Sequence, residues 1–236
     1  MHNYFGWKIS DDDLSFKAMG VAGTDITLQD KEEMKLIEPH LNNRRTAVEA
    51  GVHYGFSIPS LCSRFSHVHT FDFPNDVFDA FCVNMKDRNV KNLTIHPHGL
   101  GEESMDVKNI DRRHRKNFER GTLANSVVDK NTRLRPDDES YIGETTYQVK
   151  PLDELGLVDV DLIVLDTEGY ELPVLKGATE TIKRCSPVLV VEFHVKKRLA
   201  YQFGYMYKDL HKYLTQLGYV YEGQVSRVDR LYVRKA

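Results

Sequence analysis

Long apolar runs are missing from this sequence. No stretch approaches the roughly 20 consecutive apolar residues of a membrane helix, so no spanning segment is expected. Cysteine is scarce. Cys62, Cys82 and Cys185 are the only three, and their spacing suggests neither a zinc site nor a disulfide framework. They are expected to be reduced, buried thiols of a cytoplasmic protein. The first residues lack the basic-then-apolar pattern of a secretory signal and carry Asp11-Asp12-Asp13 instead. There is no excess of positive charge. A net charge of -3 and a pI of about 6.4 predict no bulk attraction to nucleic acid or membrane, leaving only local basic patches open. Internal repeats and low-complexity tracts are absent.

What remains is an ordinary globular composition, 41% hydrophobic and 28% charged over 236 residues. That length fits one sizeable domain, residues 1–236, with a well-buried core. Thr46 to Asp72 organises it. The short apolar segment Thr46-Ala47-Val48-Glu49-Ala50-Gly51 ends in a glycine, and Gly55 follows. Phe56 to Phe65 reads as a short helix, and His67 to Phe71 as a strand running into Asp72. This is the strand-turn-helix-strand logic of a nucleotide site, in which glycines admit the ligand and an acid on the next strand binds ribose. The turn is Gly-x-x-x-Gly, not the Gly-x-Gly-x-x-Gly of nicotinamide-dependent dehydrogenases.

The rest of the chain alternates in the same way. Thr24 to Leu28 is compatible with a short strand, and Lys31 to Leu41 with a helix capped by Asp30. A helix opens at Pro74-Asn75-Asp76 and repeats Val77, Phe78, Phe81, Cys82 and Met85 on one face. Asn92 to His96 is a strand, followed by the loop His98-Gly99-Leu100-Gly101. Residues 102–145 are irregular and partly basic, with Arg112 to Lys116 at their centre, and suggest hairpin strands plus a possible lid. Thr146 to Val149 is a further strand. Asp161 to Asp166 is a continuous apolar strand of the kind buried on both faces of a parallel sheet. A helix over Tyr170 to Lys183, a strand over Pro187 to Phe193, a helix over Tyr207 to Leu217 and a closing antiparallel pair (Tyr219 to Tyr221, Leu231 to Val233) complete an α/β doubly wound pattern.

Two stretches together resemble a known family. DLIVLDTEGYE (Asp161 to Glu171), Val174-Leu175-Lys176-Gly177-Ala178 and PVLVVEFH (Pro187 to His194) are similar to the FkbM-type family of S-adenosylmethionine-dependent methyltransferases. That family has an apolar strand, Asp-x-Glu-Gly-x-Glu, Val-Leu-x-Gly-Ala and a strand ending Glu-x-His. Val48 to Gly55 sits where the family has Val-Asp-x-Gly-Ala-Asn-x-Gly, and Phe71-Asp72 where it has Phe-Glu. Glu49, Val52, His53 and Phe73 depart from the usual Asp, Ala, Asn and Pro. The resemblance implies a Rossmann-like class I methyltransferase fold: a mostly parallel seven-stranded sheet with helices on both faces and a C-terminal antiparallel strand.

The resemblance also implies S-adenosyl-L-methionine as cofactor. It would be held by Glu49, Gly51, His53, Gly55, Asp72, Phe73, Gly99, Leu100 and Asp166, the last favouring the cationic donor from the end of the central strand. A hydroxyl acceptor needs a base. His194 suits that role, with Glu168 and Glu192 as alternatives, because imidazole titrates near neutral pH. Asp166, Glu168, Glu192 and His194 also make an oxygen-rich set able to hold a divalent ion, although no metal is assigned. The expected acceptor is a small-molecule or glycan hydroxyl, possibly anionic. Arg112 to Lys116 or Lys196-Lys197-Arg198 would serve such an anion. The alternatives are nucleic-acid methylation through the basic insertion, and a non-catalytic module with a degenerate donor turn. No Asn-Pro-Pro-aromatic motif, the mark of amino-group methylation of DNA bases, follows the central strand. His67, His69, His96 and His98 are read as structural or surface residues.

Overall fold

The computed structural model describes residues 1–4, 6–10, 27–111, 125–130, 132–133, 142–193 and 202–235. His194, Arg112 to Lys116, Lys196 to Arg198 and Thr24 to Ile26 lie outside them.

The chain opens with an antiparallel hairpin, β1 (His2–Tyr4) and β2 (Trp7–Ile9), turned at Gly6. Helix α1 (Thr27–Ile37) runs into a single 3-10 turn, Glu38–His40. Asp30 therefore sits inside this helix and not at its cap, and Thr27-Leu28 opens the helix where a strand was expected. Strand β3 (Thr46–Ala50), helix α2 (Ile58–Arg64), strand β4 (His67–Phe71), helix α3 (Asp76–Asp87) and strand β5 (Leu93–His96) follow. Helix α3 starts where the sequence says: the Asn75 side chain accepts from the N–H groups of Val77 (2.9 Å) and Phe78 (3.0 Å).

Four strands come next: β6 (Gly99–Leu100), β7 (Met105–Asp111), β8 (Asn125–Val128) and β9 (Ile142–Lys150). They form their own sheet in the order β6-β9-β7-β8. Then come β10 (Val160–Leu165), α4 (Glu171–Gly177), α5 (Thr179–Cys185), β11 (Val188–Glu192), α6 (Tyr207–Gln216), β12 (Tyr219–Gln224) and β13 (Asp229–Arg234).

One helix was expected over Tyr170 to Lys183, and two are found. The break follows from packing. A Cβ on Gly177 would lie 1.8 Å from the Gly101 carbonyl oxygen, so the second sheet presses directly on the end of α4. The chain restarts at α5, where Asp153 accepts from the N–H groups of Glu180 (2.9 Å) and Thr181 (2.7 Å).

The main sheet has seven strands in the order β5-β4-β3-β10-β11-β13-β12. Strand β13 is antiparallel to both neighbours, and the remaining pairings are parallel. Successive residues of a strand face opposite sides, and two cores result. Val48, Ala50, Phe71, Ile163, Leu165, Leu189 and Val191 pack with α4, α5, α6 and the second sheet. Ala47, Val68, Leu162, Val188 and Val190 pack with α1, α2, α3 and the hairpin. The buried Asn84 of α3 ties the hairpin down: it accepts from the Lys8 N–H (2.6 Å) and donates to the carbonyls of Lys8 (3.0 Å) and Tyr54 (3.1 Å). The three cysteines are free and half-buried, less enclosed than expected. Among the described residues no helix is long and apolar enough to cross a membrane.

Candidate active site

The chain runs outward from β3 to β4 and β5 on one side, and from β10 to β11 on the other. The carboxyl ends of β3 and β10 therefore flank the topological switch point where open α/β sheets bind ligands. The backbone stitches these ends together. The Asp166 N–H donates to the Ala50 carbonyl (2.9 Å) and the Gly51 N–H to the Phe71 carbonyl (3.0 Å).

At this edge the turn after β3 is held by Asp72. Its Oδ2 accepts from the N–H groups of Val52 (3.0 Å) and His53 (3.2 Å), and its Oδ1 from that of Phe73 (2.7 Å). Dehydration raises the pKa of this half-buried carboxyl, and the three N–H groups oppose the shift. His53 has φ +51, a left-handed conformation that few non-glycine residues adopt. Glu49, buried on β3, accepts from Ser57 Oγ (2.6 Å).

Both predicted glycines are required here, for reasons the sequence did not show. Gly51 has φ +84, and a Cβ there would lie 1.7 Å from the Asp166 carbonyl oxygen. Its bareness lets β10 approach β3. Gly55, at φ +79, would drive a Cβ to 2.4 Å from the Phe81 ring, so it seats α3. Gly99 lies flat under Phe73, whose ring a Cβ would meet at 2.8 Å, and Phe73 in turn packs on Tyr147 of β9 (ring centroids 5.0 Å). Leu100 is 3% exposed, so its side chain belongs to the core and not to an open face.

The second turn, Thr167-Glu168-Gly169, follows β10. Glu168 has φ +54 and Gly169 φ +99. Glu171 holds it: Oε1 accepts from Gly169 N–H (2.9 Å), Thr167 N–H (3.2 Å) and Thr167 Oγ1 (3.2 Å). The Tyr205 hydroxyl shares its proton between the Gly169 carbonyl (2.7 Å) and Glu171 Oε2 (3.1 Å). Glu171 is 1% exposed and organises the turn. Its place as the last acid of Asp-x-Glu-Gly-x-Glu was the available signal. Nothing local pointed to Tyr205.

Asp166, Glu168 and Glu192 do come together, and Asp229, opposite Glu192 across the β11–β13 ladder, joins them. Glu192 is 6% exposed, and its pKa is raised well above the usual range by burial and then by the charges of Glu168 and Glu171. Asp166 is raised as well, by dehydration and by the facing Glu192. Its side chain keeps solvent contact, so we assign the larger part to the crowding of like charges. Beside the turn, a cleft of about 220 Å³ is bordered by Glu102, Met105, Asp129, Tyr170, Lys176 and Tyr205.

The sequence pattern of the methyltransferase FkbM domain matches residues 35–221. The chain belongs to the FkbM methyltransferase family. A crystal structure of methyltransferase FkbM from Methylobacillus flagellatus KT superposes with a TM-score of 0.51 at 19% identity, covering 80% of this chain and 43% of that one. This FkbM chain thus spans less than half the length of that relative. An S-adenosylmethionine-dependent methyltransferase from Clostridium acetobutylicum ATCC 824 gives a TM-score of 0.50 at 10% identity, covering 94% of this chain and 96% of that one. No curated protein matches the sequence. The fold is the Rossmann-like class I methyltransferase fold, with the mostly parallel seven-stranded sheet and the C-terminal antiparallel strand that the FkbM resemblance implied.

Proposed function

We propose that this FkbM protein transfers a methyl group from S-adenosyl-L-methionine to a hydroxyl of a small-molecule or glycan acceptor. The observation that supports it most is the meeting of two turns at the switch point: the Asp72-held turn after β3 and the carboxyl-lined turn after β10, joined through Asp166 N–H to Ala50 O. The donor supplies an electrophilic methyl on a sulfonium. The residues fit it. A carboxylate offers about four lone-pair sites, and Asp72 gives three contacts to backbone N–H groups, which leaves capacity for a ribose hydroxyl. Phe73, seated on Gly99, offers a ring face for adenine, with Leu100 behind it. Glu49 and the His53 turn border the amino-acid end, and Asp166 faces the sulfonium charge.

Transfer leaves the acceptor hydroxyl proton to be removed. Glu168 stands at the rim with Glu192 buried beneath it, and the upward shift of Glu192 brings a carboxylate toward the basicity such a step needs. His194 continues the chain two residues after Glu192 and is the stronger base by type. Calorimetry tests the donor half. S-adenosylmethionine should bind, and Asp72→Ala should weaken it by about 1–3 kcal/mol through lost ribose hydrogen bonds. Unchanged affinity removes the ribose role. His194→Ala should retain donor binding and lose about 10²–10⁴-fold in rate; an undiminished rate moves the base to Glu192 or Glu168.

A further inference from the structure

The N-terminal hairpin lies outside the FkbM match, which begins at residue 35, yet it is tied to the turn after β3. A two-stranded hairpin is marginally stable at best in water, so one built of three-residue strands depends on docking. Trp7 is the anchor. The Arg88 guanidinium lies 3.4 Å over its ring, and Phe56, just past the turn, meets it edge-on at 4.8 Å between centroids. Arg88 also donates to the Gly6 carbonyl (3.0 Å). Asn84 joins strand to turn: it grips Lys8 by N–H and carbonyl and donates to the Tyr54 carbonyl (3.1 Å). Ser10 makes the last tie. Its N–H donates to the Tyr54 hydroxyl (3.3 Å) and its Oγ to Asp76 Oδ2 (2.7 Å). Tyr54 belongs to the turn after β3, and Asp76 opens α3 directly after the loop that carries Asp72 and Phe73. One residue thus bridges the two segments that border the donor.

We propose that the hairpin is a clamp on the donor turn, with Ser10 and Tyr54 as positioning residues for S-adenosyl-L-methionine. This rests on the donor site read above. His53 keeps a left-handed φ of +51, and such a conformation persists only where its surroundings over-determine it. On one side Asp72 holds the His53 N–H (3.2 Å). On the other, the next residue is fixed at both ends, Tyr54 by its carbonyl on Asn84 and by its hydroxyl on Ser10. Tyr54 is fully buried and Ser10 is 7% exposed, so both ties are shielded from competing water. Release of Tyr54 lets the His53 N–H swing off Asp72. The carboxylate then loses the orientation that aims its remaining lone pairs at a ribose hydroxyl. Hairpin docking and donor binding are therefore linked, and the linkage is reciprocal: donor favours the docked hairpin by the same factor by which docking favours donor.

Hydrogen exchange on the unaltered protein reads this coupling directly. The Lys8 and Ser10 amides are themselves the ties, and a docked hairpin exchanges them through local opening. Saturating S-adenosylmethionine should slow both, together with the amides of Val52 and His53. Ser10→Ala and Tyr54→Phe each remove one hydrogen bond and should raise the donor Kd in calorimetry by about 2–12-fold. The Michaelis constant for donor should rise equally, with kcat at saturating donor near that of the parent. Ser10→Thr, which restores the hydroxyl, should return the affinity. Unchanged exchange at Lys8 and Ser10 when donor binds, or parent-like donor affinity in both variants, overturns the clamp and leaves the donor site standing. No donor binding by the parent, or an Asp72→Ala variant that binds donor as the parent does, removes the donor site instead, and the clamp with it.

Discussion

Val52-His53 after β3 and Thr167-Glu168-Gly169 after β10 are both held by a carboxylate that accepts backbone N–H groups, and both force a non-glycine residue to positive φ. They differ in where the carboxylate comes from. Asp72 reaches across from the next strand, stays half-buried and keeps lone pairs for a ligand. Glu171 belongs to the helix that the turn begins, is 1% exposed, and has its second oxygen engaged by Tyr205. A carboxylate shared with solvent can exchange a structural role for a binding one. One sealed beneath a phenol can only position what lies above it. The first turn is thus suited to receive a ligand, and the second to present Glu168 and Asp166 in a fixed arrangement.

The comparison breaks most severely at the point where the turns touch. Gly51→Ala places a methyl group 1.7 Å from the Asp166 carbonyl oxygen at a φ of +84, so β3 and β10 must separate. We expect a loss of about 3 kcal/mol or more in denaturant unfolding, within the range of backbone strain plus overpacking. A loss below about 1 kcal/mol would show that the strand ends part freely. Glu171→Ala comes next. It strands the Thr167 and Gly169 N–H groups, at about 1–3 kcal/mol for a buried unsatisfied group, while the Tyr205 hydroxyl keeps its bond to the Gly169 carbonyl. Glu171→Gln, which keeps an oxygen toward the N–H groups, should recover most of that stability. Its Michaelis constant for donor should stay near that of the parent while kcat falls, if the turn positions acceptor-side carboxylates.

Much of this was legible locally. The apolar run of β10, the helical repeat and Asn75 cap of α3, and the alternation of strands and helices each depend on residues a few positions apart. The glycines after β3 were legible as necessary, but their partners were not. Gly51 answers to a carbonyl 115 residues later and Gly55 to Phe81, and only the folded sheet brings these together. The same limit explains the break between α4 and α5, set by Gly101 and Asp153, and the turn-holding role of Glu171, whose partner Tyr205 lies 34 residues on. Leu100 was expected beside the cofactor because it follows a strand, and that its side chain would be buried in the core was not legible there.

The crowded carboxyls at the β10–β11 edge give the comparison a pH signature. Glu192 has a folded pKa well above its unfolded value. A raised acid contributes stability that is fully present below the ordinary glutamate range, and loses it as pH rises through the folded pKa. Stability of the parent protein should therefore decline as pH climbs above the usual range of a glutamate, about 4.3. Glu192→Gln should flatten that decline. Chemical denaturation across pH 5–8 checks it, and an identical slope in the variant would remove Glu192 as the cause. Asp72, also raised but bound by three N–H groups that oppose the shift, should contribute less to the slope.

The smallest effect separates backbone from side chain in the two turns. His53 and Glu168 sit at φ +51 and +54, where a non-glycine residue carries a cost of about 1–2 kcal/mol. Glycine removes that cost, and the greater freedom of glycine in the unfolded chain offsets about 0.5–1 kcal/mol of it. His53→Gly and Glu168→Gly should each be neutral to about 1 kcal/mol stabilising, seen as a higher denaturant midpoint at constant slope. Their activities should then diverge. The His53 N–H that meets Asp72 survives the change, so donor affinity should hold, whereas Glu168→Gly removes a carboxylate from the rim and should slow turnover. If both variants instead lost stability by more than about 1 kcal/mol, the side chains and not the carboxylate-held backbone would be setting these turns.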